Sequence, residues 1–315
     1  MLTPSQSADS QPTGAQPQTQ FYTWQGHTCA YEVWLPAIET ESKPVPLLLL
    51  HPIGVGLSRR FWDRFIRAWR EAGHPQSIYN PDLLGCGESA KPHIAYTPED
   101  WAAQLEYLID TVIQQPVILV VQGALFPVAI ALAQRQASGD RVRGLILSGP
   151  PAWAVMTKPT PEWQQKLTWN LFFDSPVGRA FYQYAQRRQF IQSFSVRQLF
   201  AEASAVDDEW LSRLETDAKS AESRYAVFSF LAGFWRRNWA MAIQQLTVPT
   251  LVVVGDHASS ISQSGKGDTP SKRIDDYLHH MPQTQGLQIS GRNVLPYEST
   301  DAFVEAIAPF IERQG

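Results

Sequence analysis

Few side chains in this 315-residue sequence stand where they could do covalent chemistry, and those sit at the ends of apolar runs. His51 follows the run Val45 to Leu50, Asp82 follows Ser77 to Asn80, and His257 lies just past Thr250 to Val254. A histidine at such a place is a candidate general base, because its ordinary pKa lies close to neutrality. Each of the three also has a plain structural reading. His51 would fix a loop backbone, Asp82 would accept nearby N–H groups in its turn, and His257 would face solvent. The hydroxyl-rich stretch Ser259 to Gly267, with Lys266, reads either as a surface loop or as a polar, phosphate-binding lip. The seven histidines are scattered, and His279-His280 has no partner at ligand spacing, so no metal is expected. No Gly-x-Gly-x-x-Gly follows a strand, so no dinucleotide is expected, and no other cofactor is indicated.

These residues need a scaffold, and the hydrophobic pattern supplies one. Phe21 to Trp24 and Thr28 to Leu35 read as a hairpin. Continuous apolar runs at Val45 to Leu50, Val117 to Val121, Val142 to Ser148 and Thr250 to Val254 read as strands buried on both faces. Helical spacing fills the gaps at Phe61 to Glu71, Pro98 to Gln114 and Ala124 to Gln136. This alternation predicts a mostly parallel sheet flanked by helices, an α/β class. From Gly149-Pro150-Pro151 to about Gln245 the pattern is helical only and dense in aromatics. The predicted organisation is a disordered tail over 1–20, a core over 21–150 and 246–315, and a helical lid over 151–245. The final helix, Asp301 to Arg313, is expected to be capped by Ser299 or Thr300 and to bury Phe303, Ile307, Phe310 and Ile311. Pro116 to Ala133 is apolar enough to raise a membrane question, but Pro116, Gly123 and Pro127 divide it into a strand and a helix, so no transmembrane segment is expected.

Three motifs on this scaffold resemble the α/β-hydrolase superfamily. His51-Pro52-Ile53-Gly54 looks like its oxyanion loop. Asn80-Pro81-Asp82-Leu83-Leu84-Gly85-Cys86-Gly87-Glu88-Ser89 is similar to its Pro-Asp-x-x-Gly-x-Gly-x-Ser turn. Gly291 to Glu298, ending Leu295-Pro296-Tyr297-Glu298, looks like the segment around its catalytic histidine. The resemblance covers nearly everything from Phe21 onward and implies the α/β-hydrolase fold. It also implies a serine on a Gly-x-Ser-x-Gly elbow, a carboxylate after a later strand, and a histidine that takes the serine proton. Aligned on those flanks, the three positions hold Gly123, Ala258 and Val294. The catalytic triad is therefore expected to be lost, and no serine-hydrolase activity is expected.

The expected function is that of a binding or accessory protein for an apolar ligand or a protein partner. Its pocket would be lined by Ile53, Gly54, Gln122, Gly123, Ala124, Trp153, Trp169 and Trp235. The alternative is a hydrolase or lyase that uses His51, Asp82 or His257. A net charge of −4 gives no general attraction to nucleic acid. With two cysteines and no signal-like segment, a reducing, cytoplasmic setting is expected.

Overall fold

The computed structural model describes residues 17–36, 43–135 and 141–314. Eight strands form one sheet: β1 (Gln20–Trp24), β2 (His27–Trp34), β3 (Leu47–Leu50), β4 (Ile78–Pro81), β5 (Val117–Gln122), β6 (Val142–Ser148), β7 (Thr250–Gly255) and β8 (Thr284–Ile289). Their spatial order is β1-β2-β4-β3-β5-β6-β7-β8. β1 and β2 form the expected hairpin, β2 runs antiparallel to β4, and the remaining pairs are parallel. The central strands β3, β5 and β7 are buried at every position, which is why they read as unbroken apolar runs.

Core helices cover both faces. α1 (Asp63–Glu71) lies on one face, and α2 (Pro98–Leu108) and α3 (Phe126–Arg135) lie on the other. Thr97 caps α2 through a reciprocal bond with Asp100, and Pro98 occupies the first turn, where its missing N–H is harmless. Pro116 to Ala133 divides into β5 and α3 as expected. Between β6 and β7 only helices occur: α4 (Trp153–Thr157), α5 (Glu162–Leu167), α6 (Pro176–Ala185), α7 (Arg188–Phe194), α8 (Asp208–Asp217), α9 (Arg224–Ala232) and α10 (Ala240–Gln244), with short 3-10 and π turns. The chain then adds α11 (Pro270–His280), α12 (Leu295–Glu298) and α13 (Thr300–Glu312). No helix among the described residues is long and apolar enough to cross a membrane.

Two expectations need correcting. The tail expected over 1–20 lies outside the described residues up to 16, but its end is structured. Gln20 pairs with Tyr31 in β1, and Thr19 Oγ1 accepts a 2.8 Å bond from Arg59. The last helix buries Phe303, Ile307, Phe310 and Ile311, yet neither proposed cap works through its side chain. Ser299 makes no capping bond, and the Thr300 hydroxyl donates backwards to the carbonyls of Pro296 and Tyr297. The short helix α12 runs directly into α13, so the carbonyls that precede α13 are already positioned to receive that hydroxyl.

Candidate functional site

The carboxyl ends of the parallel strands meet at one edge of the sheet, where open α/β sheets take ligands. β5 ends at Gln122, and the chain turns into α3 through Gly123, whose φ is +63°. A side chain at this position would be strained, and glycine is not. A Cβ built on Gly123 meets nothing within 4 Å, so the turn opens onto free space. Its flanks, Val121 and Leu125, are buried in the core. The elbow is present as a backbone shape, and no nucleophile stands on it.

β7 ends at Gly255, and Ala258 sits three residues beyond, 5% exposed. No carboxylate occupies that place. Asp256 is turned aside. Its Oδ1 accepts from the Gly291 N–H at 2.9 Å and lies 2.8 Å from His257 Nδ1. Desolvation works against the Asp256 carboxylate, but the hydrogen bonds from His257 and Gly291 prevail and hold its pKa below the usual value. The His257 side chain is exposed.

In the segment after β8, Val294 is 3% exposed and joins the cluster of α1, α12 and α13. The neighbouring Asn293 makes the contacts across the sheet edge. Its carbonyl accepts from Gln122 Nε2 at 2.7 Å, and its Nδ2 donates to Ser259 O at 3.1 Å and Gln198 O at 2.7 Å. The Asn293 backbone carbonyl thus meets the elbow strand, its side-chain amide meets the loop after β7, and Val294 faces the core.

His51 is fully buried. Its Nε2 accepts from the Leu83 N–H at 3.1 Å, so the proton sits on Nδ1, which donates to Pro52 O at 2.9 Å. Burial lowers the pKa, which keeps the ring neutral. Neither nitrogen is free to move a proton. Asp82 is equally enclosed. Its carboxylate pairs with Arg59 and accepts N–H groups from Arg59 and Glu88, each at 2.8 Å. Arg59, 2% exposed, also reaches Glu32 at 3.1 Å and Glu88 at 2.7 Å. The structure therefore does not bring His51, Asp82 and His257 together as reacting groups.

The expected pocket lining divides in two. Gln122, Gly123 and Ala124 form the elbow, and Ile53 and Gly54 lie in the loop after β3. The three tryptophans each pack on another ring. Trp153 stacks on His280 at 4.0 Å, Trp169 lies edge-on to Phe234 at 5.9 Å, and Trp235 stacks on Phe230 at 5.1 Å. A cavity of about 250 Å³ lies elsewhere, between Arg60, Glu88, Thr216, Asp217 and Ser220, and none of the eight expected residues lines it. Among the described residues no three His, Cys, Asp or Glu side chains are grouped to hold a metal ion.

Arg292 has no role in the sequence reading and Ser259 has one only as part of the hydroxyl-rich stretch, yet the two meet beside Asn293. Arg292 Nε and Nη2 both donate to Ser259 Oγ, at 3.0 and 2.8 Å. The two are 33 residues apart, and no local spacing signals the contact. Ser148 was also missed. It is fully buried at the end of β6, in register with Gln122.

The sequence profile of the alpha/beta hydrolase family matches residues 47–306. No curated protein matches the sequence. Among solved structures the chain is similar to a thermophilic esterase from Thermogutta terrifontis, at 21% identity over 95% of this chain and 99% of that one, with a TM-score of 0.69. It is similar to the serine hydrolase CarC, involved in carbazole degradation, at 18% identity over 94% and 99%, with a TM-score of 0.71. An enol-lactonase from Burkholderia xenovorans LB400 gives 17% identity over 93% and 100%, with a TM-score of 0.69. At these identities the likeness extends to the fold.

Proposed function

Because the chain belongs to the α/β-hydrolase family, we propose that it is a member that binds an apolar small molecule without hydrolysing esters, with the helical insertion between β6 and β7 as its cap. The carrying observation is Gly123. It keeps the left-handed backbone of an elbow and presents no side chain to the free space above it. Ala258 and Asn293 support the same reading, because neither can ionise to orient or accept a proton. Loss of a triad leaves only binding and oxyanion donors, a residual catalysis on the order of 10³ to 10⁴ over water in enzymes of this type.

Solvent extraction of the purified full chain, followed by mass spectrometry, tests the reading. It expects a stoichiometric apolar compound. An empty extract, together with failure to bind any apolar probe, would overturn it.

A second reading has one observation in its favour. The Asp256–His257 contact of 2.8 Å presents an exposed histidine beside a carboxylate, the arrangement of a base and its orienting group. Ester or lactone turnover that disappears in His257→Ala would favour an enzyme of non-standard chemistry. His51 and Asp82 do not enter this reading, because both are closed on structural partners.

A further inference from the structure

The fully buried arginines of this chain are neutralised. Arg59 pairs with Asp82, Glu32 and Glu88, and Arg273 pairs with Asp268 at 2.7 Å. Arg292 is half-buried and pairs with no carboxylate among the described residues. The Glu298 carboxylate accepts from the Arg292 backbone N–H at 2.9 Å and from the backbone of Ala201. The Nε–Nη2 edge of Arg292 is the fork that normally grips two carboxylate oxygens, and here it closes on the single neutral oxygen of Ser259. Its remaining contact is a 3.4 Å bond to Phe200 O.

The surroundings repeat the pattern. Arg236 donates to Ser262 Oγ in the same serine-rich loop at 2.9 Å, also without a carboxylate, and burial lowers its pKa. Gln122, bonded to the residue next to Arg292, has a buried Oε1 without a partner, and so does Ser148 Oγ across the β5–β6 register. Buried polar atoms are rarely left unpaired. The loop after β7 thus takes a guanidinium without counter-charge at Ser259 and another at Ser262, and the strand ends beside Asn293 hold two orphaned oxygens.

We propose that Arg292, with Ser259, receives the carboxylate of an acidic small molecule whose apolar body lies toward the free space at Gly123. This rests on the binding-protein reading above and names the ligand class for that site. The planar fork suits a carboxylate.

Calorimetric titration of the full chain with hexanoate, hexanol and inorganic phosphate tests the assignment. Hexanoate is expected to bind about tenfold more tightly than hexanol, the worth of a charge-assisted pair. Arg292→Gln is expected to abolish that preference. Equal binding of acid and alcohol, no binding of hexanoate, tighter binding of phosphate, or a preference that survives Arg292→Gln would each overturn it. If Arg292→Gln fails to fold, the acid–alcohol comparison on the wild-type chain still decides. Ester turnover would sink the binding-protein reading and leave the carboxylate preference measurable. Loss of the preference would leave the absence of turnover untouched.

Discussion

Two regions at the same sheet edge have fared differently. The turn from Asn80 to Ser89 keeps its structural chemistry complete. Asp82 is held by Arg59 and two backbone N–H groups, and Ser89 Oγ donates to the Asp82 carbonyl while accepting from the Ala30 N–H. The apex at Gly123, Ala258 and Asn293 keeps its backbone path and has no reacting group. The difference follows from what each loss would cost. Removing one partner of a buried ion pair strands the other charge, so the turn cannot change one residue at a time. Gly123 opens onto free space, so nothing folds around the side chain it lacks.

The sharpest way to break this comparison is to strip the turn of its carboxylate. Asp82→Ala is expected to lower the unfolding free energy by about 3 to 5 kcal/mol, the usual cost of halving a buried pair. Urea titration reads it, and a change below about 1 kcal/mol would mean that the turn is no more constrained than surface residues are.

The next test sets two left-handed glycines against each other. A Cβ on Gly87, whose φ is +50°, would overlap the Asp82 carboxylate, whereas one on Gly123 meets nothing. Gly87→Ala should cost about 2 to 3 kcal/mol and Gly123→Ala about 1 kcal/mol, the backbone strain alone. The reverse order in thermal melts would contradict the claim that the elbow space is free.

The smallest expected effect concerns the seam between insertion and core. Arg213 of α8 reaches Asp63 of α1 at 2.9 Å. Desolvation nevertheless raises the Asp63 pKa from 3.8 to about 6, against the pull of Arg213. Between those values the folded chain holds a proton that the unfolded chain has released. The stabilisation from this group is therefore full below 3.8 and lost as pH rises through about 6. His51 acts in the opposite sense. Its depressed pKa gives stability that is present above its ordinary 6.5 and lost on acidification. The difference between wild type and Asp63→Asn isolates the first effect. The wild type should lose stability relative to the variant on going from pH 4 to pH 7, and a flat difference would remove Asp63 from the account.

Most of the fold was legible because burial on both faces writes an unbroken apolar run, and each central strand obeys it. The elbow was legible because an apolar strand and an alanine-rich helix bracket Gly123. That Asn293 meets the sheet edge while Val294 joins the core was not legible, because neighbouring residues on a turn differ in direction and direction is not written in the flanking sequence. Residue type says that a ring is buried but not against what, and Trp153, Trp169 and Trp235 pack on His280, Phe234 and Phe230. The contact between Arg292 and Ser259 was not legible because it is made by the fold.

The most direct test of the central claim is turnover of p-nitrophenyl butyrate by the purified full chain. The account predicts no saturable hydrolysis above the residual level left when a triad is absent. Saturable turnover by the wild-type chain, lost in His257→Ala, would contradict it and place the chemistry at Asp256 and His257.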